Sequence, residues 1–529
     1  MSHKVLVSDS LAEQGLERLR ARAEIAVDVR PGLKGEELLR VIPAYEGLII
    51  RSGTKVTKEI IDAATNLRVI GRAGIGVDNV DVAAATRRGI VVMNTPGGNN
   101  VTTAEHALSL MLALARNIPQ ANASLKAGQW KREKFTGSEI CNKTLGVIGL
   151  GNIGSIVAER ALGLKMQVIA YDPFVSAEAA AKMRVELTTL EDLYRRADFI
   201  TVHTPLTKET RGLIGAAAFA KMKKGVRIIN CARGGIVDEE ALHQAIVSGV
   251  VAGAALDVFV EEPPPANHPL LQLEQVIGTP HLGAATDEAQ INVAIAIAEQ
   301  IVNFLTQGVI QNAVNFPSMT PKMLTILQPY LVLGEKLGSF LAQLSASAPA
   351  EIQVEYSGDI VDYDVAPATA AVLRGLLSPF LETPVNYVNA PHIARERSIR
   401  VVEARSSKPS DFLNSIIVRV SGASGTTTVE GAVFSNKAVR LVRVNDFYLE
   451  AVLDGYILVL NNRDVPGVVG AVGSLLGQRG INIAGLELGR ERIGGMAISL
   501  IHVDGQVPQE TLAELRTLEP IISAQQIKL

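Results

Sequence analysis

Several stretches of this sequence bring together side chains able to move a hydride and a proton. The first is Gly149-x-Gly151-x-x-Gly154, which follows the apolar run Leu145 to Ile148 and opens a helical pattern ending near Leu164. In a strand, tight turn and helix start of this kind, Gly149 permits the turn and Gly151 lets a pyrophosphate approach bare backbone N–H groups. Gly154 lets the helix pack on the strand. The next predicted strand, Gln167 to Tyr171, ends at Asp172. A carboxylate there accepts a hydrogen bond from the ribose 2′-hydroxyl of NAD and repels the 2′-phosphate of NADP, and no Arg follows it directly. NAD is therefore the expected cofactor, and no metal is expected. With 46 glycines in the chain the bare pattern can arise in any loop, and a βαβ turn without a ligand is the competing reading. The strand, helix and acid around the glycines favour the dinucleotide.

Hydride transfer also needs a partner for the proton and a grip on the substrate. His281, in Thr279-Pro-His-Leu-Gly-Ala284, follows a predicted strand and precedes a long helical pattern. An imidazole titrates near neutral pH and suits a base that takes a hydroxyl proton while hydride leaves for nicotinamide. A histidine that merely caps the turn is the alternative. The run Leu256-Asp-Val-Phe-Val-Glu-Glu-Pro-Pro-Pro265 offers carboxylates stiffened by proline, one of which can orient the ring. Arg233, in Asn230-Cys-Ala-Arg-Gly-Gly235, can grip the carboxylate of a 2-hydroxy acid in a bidentate fork, or sit in a surface ion pair. Arg51 and Arg72 project from strand ends elsewhere. Together with the cluster Lys131, Arg132 and Lys134 they can hold a second anion such as a phosphate, solvated surface being the alternative for the cluster.

These groups need strand ends to stand on. From Lys4 to Met93 the pattern predicts strands at 4–8, 25–29, 47–50, 67–71 and 90–93 with helices between them, hence a parallel, doubly wound sheet. The linker Asn94-Thr-Pro-Gly-Gly-Asn-Asn100 breaks it, and Thr102-x-x-Glu105 reads as a capping box for a long apolar helix reaching about Asn117. A second α/β unit surrounds the glycine motif, and a second long helix, about 287–306 and stopped by Gly308, mirrors the first. Two such helices are expected to cross to and from the first unit, leaving a cleft faced by strand ends. Past Phe316-Pro317 two helical stretches, 323–344 and 367–381, mix with strand-like runs and carry no catalytic motif. The final segment reads βαββαβ, the ferredoxin-like order. The expected domains are 1–97 with 284–316, then 98–283, 317–453 and 454–529.

A chain of 529 residues has room for about three to four cores. Its formal net charge of −3, with both signs interspersed, argues against a nucleic-acid surface. Two cysteines, Cys141 and Cys231, fit a reducing compartment. The start lacks a basic and then apolar leader, and no uninterrupted apolar run reaches the ~18 residues of a membrane span. The expectation is a soluble, cytoplasmic protein whose partners are small molecules or other subunits.

Taken in order, the motifs Arg51-Ser-Gly, Arg72-Ala-Gly-Ile-Gly-Val-Asp-Asn-Val-Asp81, Gly149-Leu-Gly-Asn-Ile-Gly154, Asn230-Cys-Ala-Arg-Gly-Gly235, Asp257-Val-Phe-Val-Glu-Glu-Pro263 and Pro280-His-Leu-Gly-Ala284 carry a family resemblance. The chain resembles the long-form D-3-phosphoglycerate dehydrogenases, within the D-isomer-specific 2-hydroxyacid dehydrogenases, over essentially its whole length. The resemblance implies two Rossmann-like lobes, an α+β intervening domain matched by Tyr387-Val-Asn-Ala-Pro391, and a C-terminal ACT domain. It implies NAD-dependent oxidation of D-3-phosphoglycerate to 3-phosphohydroxypyruvate, the first step of L-serine biosynthesis. Arg233, Glu262 and His281 would be the catalytic trio, with Glu261 competing for the acid's place although Glu262 aligns with it. Cofactor contacts would fall on Gly149, Gly151, Asn152, Ile153, Gly154, Asp172, His203, Thr204, Pro205, Cys231, Ala232, Arg233, Asp257, His281 and Gly283. Substrate contacts would fall on Arg51, Ser52, Gly74, Ile75, Gly76, Arg132, Lys134, Arg233 and His281. L-serine would act as an effector at Asn462, Asp464 and Asn482, although position 462 departs in kind from the family pattern. A homo-oligomer, dimer or tetramer, is also suggested by the apolar crossover helix and nearby Trp130.

Two other readings compete. One is a dehydrogenase for an unphosphorylated D-2-hydroxy acid, against which the basic residues and the long C-terminal region speak. The other is an NAD-sensing scaffold or corepressor using the same two lobes, against which the metabolite-sensing terminus speaks. Lys437, Arg440 and Arg443 could form an anion site in the middle domain or a solvated edge.

Overall fold

The computed structural model describes residues 2–345, 348–381, 384–406, 411–423, 425–435 and 437–529. Strands β1 (His3–Val7), β2 (Ile25–Val29), β3 (Gly47–Ile50), β4 (Val69–Arg72) and β5 (Val91–Met93) form a parallel sheet in the order β2-β1-β3-β4-β5. Its central strands are short unbroken apolar runs because helices cover both faces. One of these helices comes from far along the chain. Asp287–Gln307 buries Val293, Ile297 and Ile301 in the core of this lobe. It is long and apolar enough to cross a membrane by length and composition, yet most of it is buried in the protein. Gly15, on the helix Glu13–Arg20, makes this packing possible, since a Cβ there would press into the main chain of Ala294.

The second sheet holds β6 (Thr144–Ile148), β7 (Gln167–Tyr171), β8 (Glu186–Leu187), β9 (Phe199–Val202), β10 (Val226–Asn230), β11 (Val251–Leu256) and β12 (Val276–Gly278), ordered β12-β11-β10-β9-β6-β7-β8. The chain runs outward from β6 to β8 and then crosses back to begin again at β9, on the other side of β6. Successive connections diverge there and open a crevice beyond the carboxyl ends of β6 and β9. The first crossover helix, Asn100–Ala115, buries Ala104, Ala107, Leu108, Met111 and Leu114 against this sheet.

The expected capping box does not form. The helix begins at Asn100 with Asn99 as its cap, so Thr102 and Glu105 both lie inside it. Tertiary partners take their side chains: Thr102 Oγ1 meets Thr286 Oγ1 at 3.2 Å and Glu105 pairs with Arg160 at 2.6 Å. The helix also ends at Ala115, and a left-handed Asn117 turns the chain into a further helix, Ile118–Lys126, with no buried residue to betray it in the sequence.

The third sheet, β13 (Pro349–Ser357), β14 (Arg400–Ser406), β15 (Ser415–Gly422), β16 (Gly425–Val433), β17 (Val439–Val444) and β18 (Phe447–Ala451), is ordered β14-β13-β15-β16-β17-β18. The helices Pro321–Leu344 and Ala366–Leu377 cover it. Sequence periodicity misses β14, β16 and β18, because partial exposure, joined by edge position for β14 and β18, lets these strands carry Arg, Glu and Thr where an apolar stripe would be sought. The last sheet, β19 (Tyr456–Arg463), β20 (Ile483–Arg490), β21 (Met496–Val503) and β22 (Ile521–Lys528), is antiparallel in the order β20-β21-β19-β22. With the helices Val468–Gln478 and Gln509–Thr517 it is the ferredoxin-like unit expected.

Candidate active site

A cavity of about 370 Å³ lies between the first two lobes. A second, of about 220 Å³, adjoins it, with Arg72 and His281 on the walls of both. The nucleotide side is built on the turn after β6. Gly149 has φ +92°, and a Cβ at Gly154 would collide with the Gly149 carbonyl oxygen, so the fold itself requires both. Gly151 is different: a Cβ there would meet nothing within 4 Å, so the packing of the protein does not require a glycine at this position. Asp172, at the end of β7, accepts hydrogen bonds from the N–H groups of Leu150 and Phe174, both at 2.8 Å, which fixes its carboxylate beside the glycine turn.

Polar atoms on the cavity wall lack partners. His203 Nδ1, Thr204 Oγ1, Asn99 Oδ1 and Asn100 Oδ1 are buried without a hydrogen bond among the described residues. Buried polar groups are ordinarily satisfied, so this wall suits a ligand rich in hydroxyl, amide and phosphate groups, as a dinucleotide is. Burial pulls the His203 imidazole down to about 4, so it stays neutral, with Nε2 held 2.9 Å from Thr201 Oγ1. Burial, followed by the charge of Asp257, pushes the Cys231 thiol far up and leaves it inert.

His281 follows β12 in a left-handed conformation, φ +55°. Its Nδ1 lies 2.7 Å from Glu262 Oε2, while Glu262 Oε1 accepts the Phe259 N–H at 3.1 Å. Burial raises the Glu262 carboxyl, but the bonds from His281 and the Phe259 N–H outweigh it and hold the group below its usual value. It is Glu262, not Glu261, that meets the ring.

Arg233 stands at the end of β10, on a turn braced by Asn230, whose side chain donates to the Arg233 carbonyl (2.9 Å) and accepts the Ala232 N–H (3.0 Å). The guanidinium reaches across the cleft: Nε lies 2.9 Å from Asp78 Oδ2 of the first lobe. A Cβ on Gly76 would overlap Arg233 Nη2, so the glycine makes room for it. Arg72 ends β4, and burial, with the nearby charge of Arg233, lowers its guanidinium to about 10, still cationic at neutral pH. Asp9 shapes the Arg51 loop by accepting from the N–H groups of Arg51 (2.6 Å) and Thr54 (3.1 Å) and from Thr54 Oγ1 (2.9 Å).

The cleft thus gathers Asn152, Ile153, His203, Thr204, Pro205, Cys231, Ala232, Arg233, His281, Gly283, Ile75 and Gly76 on the larger cavity, and Arg51, Ser52, Gly74 and Glu262 on the smaller. Three expected contacts fall elsewhere. Arg132 and Lys134 lie on the short 3-10 helix Arg132–Phe135, where Lys134 pairs at 2.9 Å with Glu274, before β12. That is the amino end of the sheet, opposite the cleft. Asp257 is buried behind the His281 loop, its carboxylate filled by the N–H groups of Leu282 (2.7 Å) and Gly283 (2.8 Å), Thr279 Oγ1 (2.6 Å) and His106 Nε2 (3.1 Å).

Sequence reading overlooked Asp9, Asp78, Asn99, Asn100, Thr103 and His106. The only signal available was position: two asparagines in the linker into the crossover helix and an aspartate following two closely spaced glycines.

In the C-terminal unit Asn462 is buried, accepting from Ser499 Oγ (3.1 Å) and donating to the Arg463 carbonyl (2.9 Å), so it faces no open surface. Asp464 accepts the Gly494 N–H at 3.2 Å and Asn482 donates to Asp504 at 2.9 Å. Arg443 pairs with Glu430 at 3.1 Å and Arg440 with Glu450 at 3.9 Å, which leaves the middle domain no cluster of three unpaired cations at those positions.

Comparison with known proteins agrees with this architecture. Residues 108–283 match the D-isomer specific 2-hydroxyacid dehydrogenase NAD binding domain, 326–445 the D-3-phosphoglycerate dehydrogenase intervening domain, and 456–520 the ACT domain. The D-3-phosphoglycerate dehydrogenase of Synechocystis sp. is 46% identical over 99% of this chain and 95% of its own. That of Archaeoglobus fulgidus is 44% identical over 99% of this chain and 100% of its own. Among solved structures, D-lactate dehydrogenase from Aquifex aeolicus, complexed with NAD and lactic acid, superposes with a TM-score of 0.53 at 27% identity, covering 59% of this chain and 100% of that one. With near-complete coverage by such relatives and an NAD-binding lobe of this construction, the chain belongs to the D-3-phosphoglycerate dehydrogenase family of NAD-dependent D-2-hydroxyacid dehydrogenases.

Proposed function

We propose that this protein oxidises D-3-phosphoglycerate to 3-phosphohydroxypyruvate with NAD, the first step of L-serine biosynthesis, in the cytoplasm. The observation that carries the reading is the 2.7 Å Glu262–His281 pair in a cleft that also presents Arg233, Arg72 and Arg51. NAD, held by the glycine turn and Asp172, supplies the hydride acceptor. Because Glu262 holds Nδ1, His281 turns Nε2 to the substrate hydroxyl and takes its proton, and the adjacent carboxylate stabilises the imidazolium that forms. Arg233 grips the carboxylate and carbonyl oxygen of the acid. Arg51, Ser52 and the backbone of residues 74–76 receive the phosphate.

Arg132 and Lys134 lie away from this subunit's own cleft, so any phosphate contact they make is to the cleft of a second copy in a homo-oligomer. The exposed Trp130, at 79% exposure, is suited to such an interface. Feedback by L-serine through the ACT domain would use Asp464 and Asn482, with Asn462 as internal support. Flat initial rates across a wide serine titration at saturating NAD would remove that part of the proposal.

The test is NADH absorbance on mixing purified protein and NAD with D-3-phosphoglycerate or with D-glycerate, for wild type and His281→Ala. Turnover confined to the phosphorylated acid and reduced by about 10²-fold or more in the variant is expected. Equal turnover of both acids would point to an unphosphorylated substrate. No turnover in either direction, keto acid included, would point to a scaffold.

A further inference from the structure

Two carboxylates act on the His281 loop from opposite sides. Glu262 holds the ring, as described. Asp257 holds the main chain: its carbonyl accepts the His281 N–H at 3.0 Å, and its carboxylate accepts the N–H groups of Leu282 and Gly283 at 2.7 and 2.8 Å. This grip counts because His281 sits at φ +55°, a conformation strained for a non-glycine residue that persists only where its surroundings impose it. A relaxed backbone would swing the imidazole away from Glu262.

What holds Asp257 is therefore decisive, since its side chain is wholly buried and no Lys or Arg pairs with it among the described residues. The ionisable side chain hydrogen-bonded to it among the described residues is His106, on the crossover helix, with Nε2 3.1 Å from Asp257 Oδ1 and 3.2 Å from Thr279 Oγ1. Thr279 donates its own hydroxyl hydrogen to Asp257 at 2.6 Å, and a carboxylate only accepts, so Nε2 carries the hydrogen and the histidine is the donor. The same helix face grips the loop twice more: Thr103 Oγ1 donates to the Gly283 carbonyl at 2.8 Å, and Thr102 meets Thr286.

We infer that His106 is a positioning residue for the catalytic base. It donates to Asp257, and through that clamp the crossover helix sets the main chain from which His281 projects. The inference rests on His281 being the base. It concerns placement, so it predicts a loss in turnover with little loss in ground-state binding.

His106→Leu removes the donor at similar bulk, and His106→Gln restores an N–H within reach. Expected for the leucine variant is a kcat about 10- to 100-fold lower, with KM for the acid and Kd for NADH, from its fluorescence, within about threefold of wild type. Glutamine should recover most of kcat. Hydrogen–deuterium exchange of the peptide spanning 279–286 should accelerate about tenfold in the leucine variant while β6 and β7 stay protected. This arm needs no turnover, so it tests the clamp even if the substrate assignment fails. If the leucine variant does not fold, Thr103→Val, which removes one of the other grips, takes its place in the same exchange measurement. Unchanged kcat and unchanged exchange, with only a lower melting temperature, would overturn the proposal by showing His106 to be ordinary packing. NADH affinity falling as much as kcat would also overturn it.

Discussion

Asp78 reaches Arg233 across the cleft, and its replacement by asparagine tests how the arginine is kept ready for substrate. The pair spans 2.9 Å, with Arg233 28% exposed and Asp78 69% exposed on the side chain. An ion pair so open to water is worth about 0.5–1 kcal/mol. A carboxylate arriving at Arg233 must displace Asp78 or share the fork with it, and the substrate's own negative charges are repelled by Asp78 in addition. Removing the charge in Asp78→Asn should therefore lower KM for the phosphorylated acid about two- to fivefold, the factor matching that energy, while kcat stays within about twofold. The gain should shrink as ionic strength rises from about 0.02 to about 0.5 M, where the Debye length falls to a few ångströms. The assay is initial NADH formation at saturating NAD with the acid titrated at both salt levels. A KM that rises in the variant would refute the reasoning, because it would mean Asp78 holds Arg233 in its productive orientation instead of competing for it.

Two further outcomes follow from the cofactor side. Gly151→Ala adds a methyl that touches no protein atom within 4 Å, so the melting temperature should be unchanged while KM for NAD rises about tenfold or more; a lowered melting temperature with unaltered KM would contradict the assignment of this glycine to the ligand. His203 has its pKa lowered from 6.5 to about 4 by burial, so the native state favours the neutral ring whereas the unfolded chain binds a proton below 6.5. The stability it lends is complete above pH 6.5 and is lost as pH falls toward 4, by up to about 1.4 kcal/mol per pH unit and about 3 kcal/mol in all. Thermal midpoints of the NAD-free protein between pH 7 and 4.5 should fall less steeply in His203→Gln than in wild type; parallel curves would show that the burial cost is carried elsewhere.

The parts of this protein that were legible in its sequence are those decided within a few residues. The glycine turn, Asp172 at the end of its strand, the strands 25–29, 47–50, 167–171 and 199–202, and the βαββαβ order of the C-terminal unit all rest on local rules. These are turn sterics, apolar runs for doubly covered strands, and the spacing of a helix start from a strand end. The polar strands β14, β16 and β18 escaped because their partners supply the burial that their own sequences do not display. The capping box at Thr102 failed for a related reason, its two side chains being claimed by Thr286 and Arg160 from distant segments.

The site divides along the same line. Which residue types face the crevice followed from motifs, but which of two adjacent glutamates meets His281 depends on how the 257–265 segment folds back. That Lys134 turns to Glu274 depends on which end of a sheet the 132–135 helix packs against. Asp78, Asp9 and His106 bear no signature of their own, since their roles are set by partner groups 155, 42 and 151 positions away, a main-chain N–H in the case of Asp9. By itself the sequence determined a nucleotide-binding lobe and the kinds of groups that a hydride transfer needs. Their arrangement into an imidazole on a left-handed backbone, a carboxylate that holds its ring and an arginine shared between lobes was left to tertiary packing, because distances between residues far apart in sequence are set only when whole elements close on a common core.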